Sequence, residues 1–187
     1  MLPYTVGDYL ATSKLAKAST DDPAFAEAEQ QTSATVQRLM SARGRRTVDS
    51  FHKQLGKILW DKCGMARNAT GLREAIGEIR ELRNEYWSDV KMVGGADELN
   101  QALEKAGRVA DFFELAELLC IDALERNESC GGHFRDEYQT PDGEAQRNDA
   151  EFSYAAAWEY QGPSSPAVMH KEPLEFEYVH PSQRSYK

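Results

Sequence analysis

Leu99, Leu103, Ala106, Val109, Phe113, Ala116, Leu119 and Ala123 keep one apolar face at three- and four-residue steps. Held for roughly seven turns, that period belongs to an α-helix and not to a strand. So long a helix needs neighbours to cover its stripe. Two shorter stripes precede it. Phe51, Leu55, Ile58 and Leu59 follow Thr47, which can cap a helix start, and Gly64 closes the run. Leu72, Ile76, Ile79, Leu82 and Tyr86 follow a start near Asn68, and Gly94–Gly95 breaks the pattern. Long helices joined by short glycine-containing links usually fold back antiparallel. The expected fold is mainly α: an antiparallel bundle of three long helices, preceded by shorter helices and followed by an irregular aromatic-rich tail with at most short strands.

Ahead of the bundle, Thr5–Ala11 reads as a short helix capped by Thr5. Asp21, Asp22 and Pro23 mark a second helix start. Its pattern of Phe25, Thr32, Val36, Leu39 and Met40 is weakly amphipathic, and Gly44 is expected to end it. After Arg126 turn signals dominate: Gly131–Gly132, Pro141–Asp142–Gly143, Gly162–Pro163 and Ser164–Ser165–Pro166. Phe152, Tyr154, Trp158 and Tyr160 make this stretch too aromatic for a linker, so it is expected to lie against the bundle or a neighbour. Leu174–Val179 alternates like a strand. Three segments are expected: a helical lead-in over 1–46, a three-helix bundle over 47–127 and an irregular packed tail over 128–187.

The net charge of -9 argues against a nucleic-acid partner, because binding a phosphate backbone needs a concentrated basic face. No apolar run opens the chain, and Cys63, Cys120 and Cys130 have no regular spacing. Together these point to free thiols in a reducing compartment. No apolar stretch of roughly twenty residues is present, so no direct membrane insertion is expected.

Cys130–Gly131–Gly132–His133 invites a metal reading with Cys120 and His170 as further ligands. Zinc sites usually show paired spacings that supply four ligands, and one pair is visible here. A glycine turn after a helix, with a locally bonded histidine, is the preferred reading. A Cys130–His133 nucleophile pair lacks an orienting third group. Glu128, Asp136, Glu137, Glu144, Asp149 and Glu151 interleave with Arg126, Arg135 and Arg147. Carboxylates so placed can do acid–base chemistry. Mixed signs in an irregular segment more often make a salt-bridged surface that shapes loops or docks a partner. No phosphate-cradling glycine loop and no nucleophile elbow occurs, so the residues themselves display no active site.

The stretch Arg126–Asn127–Glu128–Ser129–Cys130–Gly131–Gly132–His133–Phe134–Arg135–Asp136–Glu137 resembles a segment of the succinate dehydrogenase/fumarate reductase flavoprotein superfamily. That segment reads Arg-x-Glu-Ser-Arg-Gly-Ala-His-x-Arg-x-Asp, and aspartate oxidases and adenylylsulfate reductase large subunits share it. Arg147–Asn148–Asp149 with Phe152 resembles its continuation, and Arg184–Ser185–Tyr186 resembles the usual chain end. Leu55 to Ile79, with Gly64, Arg67, Leu72 and Ala75, resembles the family's helix pair, and Asn100 to Arg126 the long helix leading into the motif. The opening Leu2–Ala11 resembles the stretch after the last flavin-contacting segment. The wording from Glu128 to Thr140 looks most like the bacterial subclass paired with a diheme cytochrome b. Cys130 and Gly132 depart from the usual Arg and Ala, which leaves the choice between succinate dehydrogenase and its relatives open.

The resemblance implies a parent enzyme that interconverts succinate and fumarate by hydride transfer to or from FAD. The flavin- and substrate-binding groups of the family lie upstream of the matching region. No catalytic, cofactor-binding or metal residue is therefore carried over, and the chain is expected to be inactive and flavin-free by itself. Segment 1–46 would be the tail of the junction with the flavin domain. Arg126, Glu128, Ser129, His133, Arg135, Arg147 and Asp149 are expected to form a packing and docking element. Its expected partners are the flavin domain of the same polypeptide and an iron–sulfur subunit, with a membrane cytochrome b beyond. The implied location is cytoplasmic, peripheral on the inner membrane through those subunits. Glutamate at Arg135 or Arg147 is expected to impair assembly while leaving the domain folded. A free-standing helical interaction module, and a small metal protein using Cys120, Cys130, His133 and His170, are the alternatives.

Overall fold

The computed structural model describes residues 2–14, 19–162 and 165–182. The chain separates into two compact units, Met1–Gln37 and Arg38–Lys187. In the first, α1 (Leu2–Thr12) starts earlier than the expected Thr5 cap, with Pro3 in its first turn, where a missing N–H costs nothing. None of its residues is buried. Helix α2 (Pro23–Ser41) starts where Asp22 accepts a hydrogen bond from the Ala24 N–H at 3.0 Å. Its weak stripe buries only Leu39, near its end.

The core of the second unit is built by α3 (Val48–Lys62), α4 (Ala69–Asp89) and α5 (Gln101–Glu125). Each start is capped by a side chain that accepts backbone N–H groups: Thr47 from Ser50, Asn68 from Gly71, and Asn100 from Ala102 and Leu103. The buried faces are Phe51, Leu55 and Ile58 on α3, Leu72, Ala75, Ile79, Leu82 and Tyr86 on α4, and Ala106, Val109, Phe113, Ala116, Cys120 and Ala123 on α5. Phe51, at the start of α3, meets Tyr86, near the end of α4, edge-on with ring centroids 5.1 Å apart. At the other end, Lys62 of α3 reaches Glu74 and Glu78 of α4. The Tyr86 hydroxyl donates to the Ala106 carbonyl of α5 at 2.7 Å.

Two members of the expected long stripe lie elsewhere. Leu99 precedes α5 and is 95% exposed, because Asn100 is the cap and the helix begins after it. Leu119 is also exposed, and Cys120 takes its place. Steps of four and three from Ala116 lead to Cys120 and Ala123, which keeps one face.

Short strands fasten the helix ends. Strand β1 (Arg46–Thr47) pairs in parallel with β3 (Val90–Lys91), and β2 (Ala66–Arg67) with β4 (Phe134–Arg135). Gly44 was expected to end α2, but α2 stops at Ser41 and Gly44 has another task. A Cβ there would lie 1.9 Å from the Asp89 carbonyl carbon, so only glycine lets the two backbones approach. After a short α6 (Asp149–Phe152), β5 (Tyr154–Glu159) and β6 (Val168–Pro173) form an antiparallel hairpin. The strand expected over 174–179 is not there. Pairing of Tyr154 with Pro173 uses up β5, and beyond it Leu174 only donates its N–H to the Ser153 carbonyl at 3.0 Å, which does not extend the ladder.

Candidate functional site

The Arg126–Asp149 segment folds around the C-terminal end of α5, where a helix leaves its last carbonyls unpaired and carries negative partial charge. Arg135 answers both needs. Its side chain is 2% exposed. Nη1 donates to the carbonyls of Ala123 at 2.8 Å, Leu124 at 3.2 Å and Arg126 at 3.4 Å. Nε donates to Glu137 at 3.2 Å, and the guanidinium lies over the Tyr138 ring. Glu137 in turn accepts the Ala69 N–H at 2.6 Å, at the start of α4. One ion pair thus joins the end of α5 to the beginning of α4.

Glu128 and Ser129 are buried beside it. Glu128 takes Arg126 on one oxygen at 2.8 Å and the Asn148 N–H on the other at 2.7 Å. The Ser129 hydroxyl accepts the Arg135 N–H at 2.8 Å and donates to the Arg135 carbonyl. Cys130 and His133 exchange backbone hydrogen bonds across the Gly131–Gly132 turn, where Gly131 has φ 58°. His133 Nε2 donates to the Arg126 carbonyl at 2.9 Å, which fixes the Nε2–H tautomer. Arg126 also donates to the Phe152 carbonyl at 2.8 Å.

Among the expected docking residues, the structure therefore places Glu128, Ser129 and Arg135 inside, with their polar atoms engaged within the chain. Arg147 and Asp149 lie further out and pair at 2.7 Å, and Arg147 donates to the Ser182 carbonyl at 2.9 Å. Because Arg135 is buried, glutamate there would set a second carboxylate against Glu137 and the α5 carbonyls. Loss of fold, not loss of assembly alone, is the physical expectation for that change.

Burial holds the His133 pKa below its ordinary 6.5; Arg67, Arg135 and Arg126 act the same way, and the bond to the Arg126 carbonyl only partly offsets them. The unfolded chain therefore binds this proton more readily than the folded one. The stabilising contribution is complete above 6.5 and disappears as the pH falls through the folded value. Burial would raise the Glu137 carboxyl, but the Ala69 N–H and the Arg135 guanidinium prevail and leave its pKa lowered. That contribution is complete above 4.5 and is lost in more acid solution. The thermal midpoint should fall as the pH drops from about 6.5 towards 5, where the stabilisation from Glu137 is still nearly complete. His133→Gln should flatten that part of the curve; an unchanged slope would remove His133 from the account.

Among the described residues, no group of three or more His, Cys, Asp or Glu side chains is placed to hold a metal. Cys120 packs near Cys63, Cys130 pairs its backbone with His133, and His170 meets Glu159 on the hairpin at 2.8 Å. These proposed ligands are not brought together. Each parallel strand pair is two residues long, too short to form the doubly wound sheet that cradles a dinucleotide. A groove of about 580 Å³ between α4, α5 and the hairpin is lined by Arg80, Arg83, Glu117, Leu118 and Trp158. Both arginines are tied to Glu117, at 2.7 and 2.9 Å, so they are not poised to grip a dicarboxylate.

Sequence reasoning named Arg67 and Glu137 but gave neither a partner, and it did not single out the Trp158–Asp122 bond of 2.8 Å that fastens the hairpin to α5. Spacing gives no warning of such pairs, since 36 residues separate the last two.

Comparison with known proteins matches residues 52–186 to the model of the fumarate reductase flavoprotein C-terminal region. The fumarate reductase flavoprotein subunit of Haemophilus influenzae is 20% identical over 186 residues, covering 100% of this chain and 30% of that protein. L-aspartate oxidase 2 of Ralstonia nicotianae is 28% identical over 133 residues, covering 69% of this chain and 23% of that protein. A solved quinol–fumarate reductase with menaquinol molecules has a chain that superposes with a TM-score of 0.75 at 17% identity, covering 96% of this chain and 29% of that one. The chain thus spans less than a third of the relatives it matches, and the structural likeness establishes the shared fold. With the family model covering most of its length, the chain belongs to the fumarate reductase flavoprotein C-terminal family.

Proposed function

We propose that this chain is the helical C-terminal domain of a flavoprotein whose FAD-bearing part interconverts succinate and fumarate, and that the domain itself is a scaffold. The family match over residues 52–186 carries the reading. The buried network around Arg135 supports it, because its polar groups are spent on holding helices and not on a substrate. Residues 47–127 serve as an up-and-down bundle of three helices. The contacts of Phe51 with Tyr86 and of Lys62 with Glu74 favour opposed senses for α3 and α4. Segment 1–46 leads in from the flavin domain, and the motif-bearing tail over 128–187 packs on the bundle or on the flavin domain. Docking falls to the outer members of the motif, Arg147 and Asp149, with the half-buried Arg126 and His133 behind them and Glu128, Ser129 and Arg135 as internal supports.

The intended partners are the flavin domain of the same polypeptide and an iron–sulfur subunit that passes electrons to a membrane cytochrome b, of the diheme type in the bacterial subclass. Among the described residues no helix is long and apolar enough to cross a membrane. Attachment to the cytoplasmic face of the inner membrane would run through those partners. The likeness to an L-aspartate oxidase supplies the competing parent reaction.

One experiment separates the two. The full polypeptide containing this sequence, loaded with FAD, should reduce an artificial acceptor with succinate and not with L-aspartate. The isolated 187-residue chain should show neither turnover nor stoichiometric flavin absorbance. Preference for L-aspartate would install the competing reaction, and flavin retained by the isolated chain would overturn the division of labour.

A further inference from the structure

The groove of about 580 Å³ between α4, α5 and the hairpin has the size of a small-ligand site. Its apolar lining comes from Leu115, Leu118 and Ile121 of α5, with Trp158, Tyr160 and Pro166 from the hairpin. Leu115 and Tyr160 are exposed and Leu118, Ile121 and Trp158 are half-buried, so water still reaches apolar surface there. Covering that surface is favourable in proportion to the area removed from water. The Trp158 ring is held in place before any ligand arrives, because its Nε1 donates to Asp122 at 2.8 Å. A wall fixed in this way loses little freedom on binding.

The charged part of the lining has a sign. Asp111, Glu114 and Glu117 line the groove from α5, against Arg80 and Arg83 from α4. Glu117 holds Arg80 at 2.7 Å, and Arg83 lies between Glu114 at 3.1 Å and Glu117 at 2.9 Å. Three carboxylates against two guanidiniums leave one negative charge over, which a cation would balance. The rings of the groove can receive a cation as well. Arg126 and Lys171 lie over Tyr154, and Arg38 lies over Trp87, whereas among the described residues no cation covers Trp158 or Tyr160. The negative face of such a ring attracts positive charge. An anion would meet the surplus carboxylate and two arginines that are already engaged.

We propose that this groove binds a small hydrophobic cation, with an aromatic or branched aliphatic body against Leu118, Ile121 and Trp158 and a protonated amine beside Asp111 and Glu114. The role is independent of which parent reaction the flavin-bearing part carries out.

Titration of the isotope-labelled 187-residue chain with naphthylmethylamine, followed by NMR, tests the assignment. Trp60, Trp87 and Trp158 each carry one indole N–H. The Trp158 signal should shift and saturate with a Kd of about 1 mM or tighter, the level that a ligand of this size supports. Naphthylacetate has the same ring and the opposite charge, and it should bind about tenfold more weakly or not at all. Asp111→Asn should narrow the difference between the two compounds, and Leu118→Lys should abolish binding of the amine. The comparison in the unsubstituted chain decides the matter without either variant. No shift at Trp158, equal binding of the two compounds, or shifts confined to Trp60 and Trp87 would each overturn the proposal. So would concentration-dependent broadening of the Trp158 signal without ligand, which would make a second copy of the chain the occupant.

Discussion

Replacing Arg135 with alanine should lower the stability of the chain by about 3–5 kcal/mol, in the range for removing one partner of a buried charged network. The loss has three parts that act together. The carbonyls of Ala123 and Leu124 lose a charged donor at the end of α5, in a place that water does not reach freely. Glu137 loses its ion pair while still holding the Ala69 N–H, so the clasp between α5 and α4 opens. A side chain among the largest of the buried ones leaves a void. Urea unfolding followed by circular dichroism measures the total. Lysine keeps the charge but not the planar fork, so Arg135→Lys should recover only part of it. A change below about 1 kcal/mol for the alanine variant would mean that the network is solvated and that the motif is not the closure described above.

The second large effect sits midway along α5. Phe113→Ala should cost about 3–5 kcal/mol, the usual range for truncating a buried aromatic side chain. Phe113 is 0% exposed and lies 5.3 Å, ring to ring, from Tyr86, which also touches Phe51 and Trp87. The Tyr86 ring is thus shared by all three core helices. Tyr86→Phe keeps the ring and removes only the hydroxyl bond to Ala106, so it should cost about 1 kcal/mol. The pair of variants separates packing from hydrogen bonding in a single denaturation series. Equal losses for both would contradict the dominance of the rings.

The helices were legible because their information is local. Thr47, Asn68 and the stripes from Phe51 to Ala123 announce caps and faces through neighbours a few residues away. The misplacements have equally physical causes. Leu174–Val179 has the alternation of a strand, but a strand also needs a backbone partner, and Val168–Pro173 had already taken it. Leu99 fits the period of α5, yet the capping side chain of Asn100 excludes it from the helix. The motif residues were recognisable as a group, whereas their orientation was not. Charge in an irregular segment suggests a surface, and nothing local reveals that Arg135 turns inward towards carbonyls eleven and twelve residues earlier.

The clasp formed by Arg135 and Glu137 also bears on timing during synthesis. Its anchor points, the start of α4 and the end of α5, are both made before the segment that joins them emerges from the ribosome. Helices with mostly nearby contacts can collapse early, whereas long-range links wait for the later residues. Closure of the motif thus follows the three core helices in the growing domain, and it can occur only if those helices already stand at the right separation.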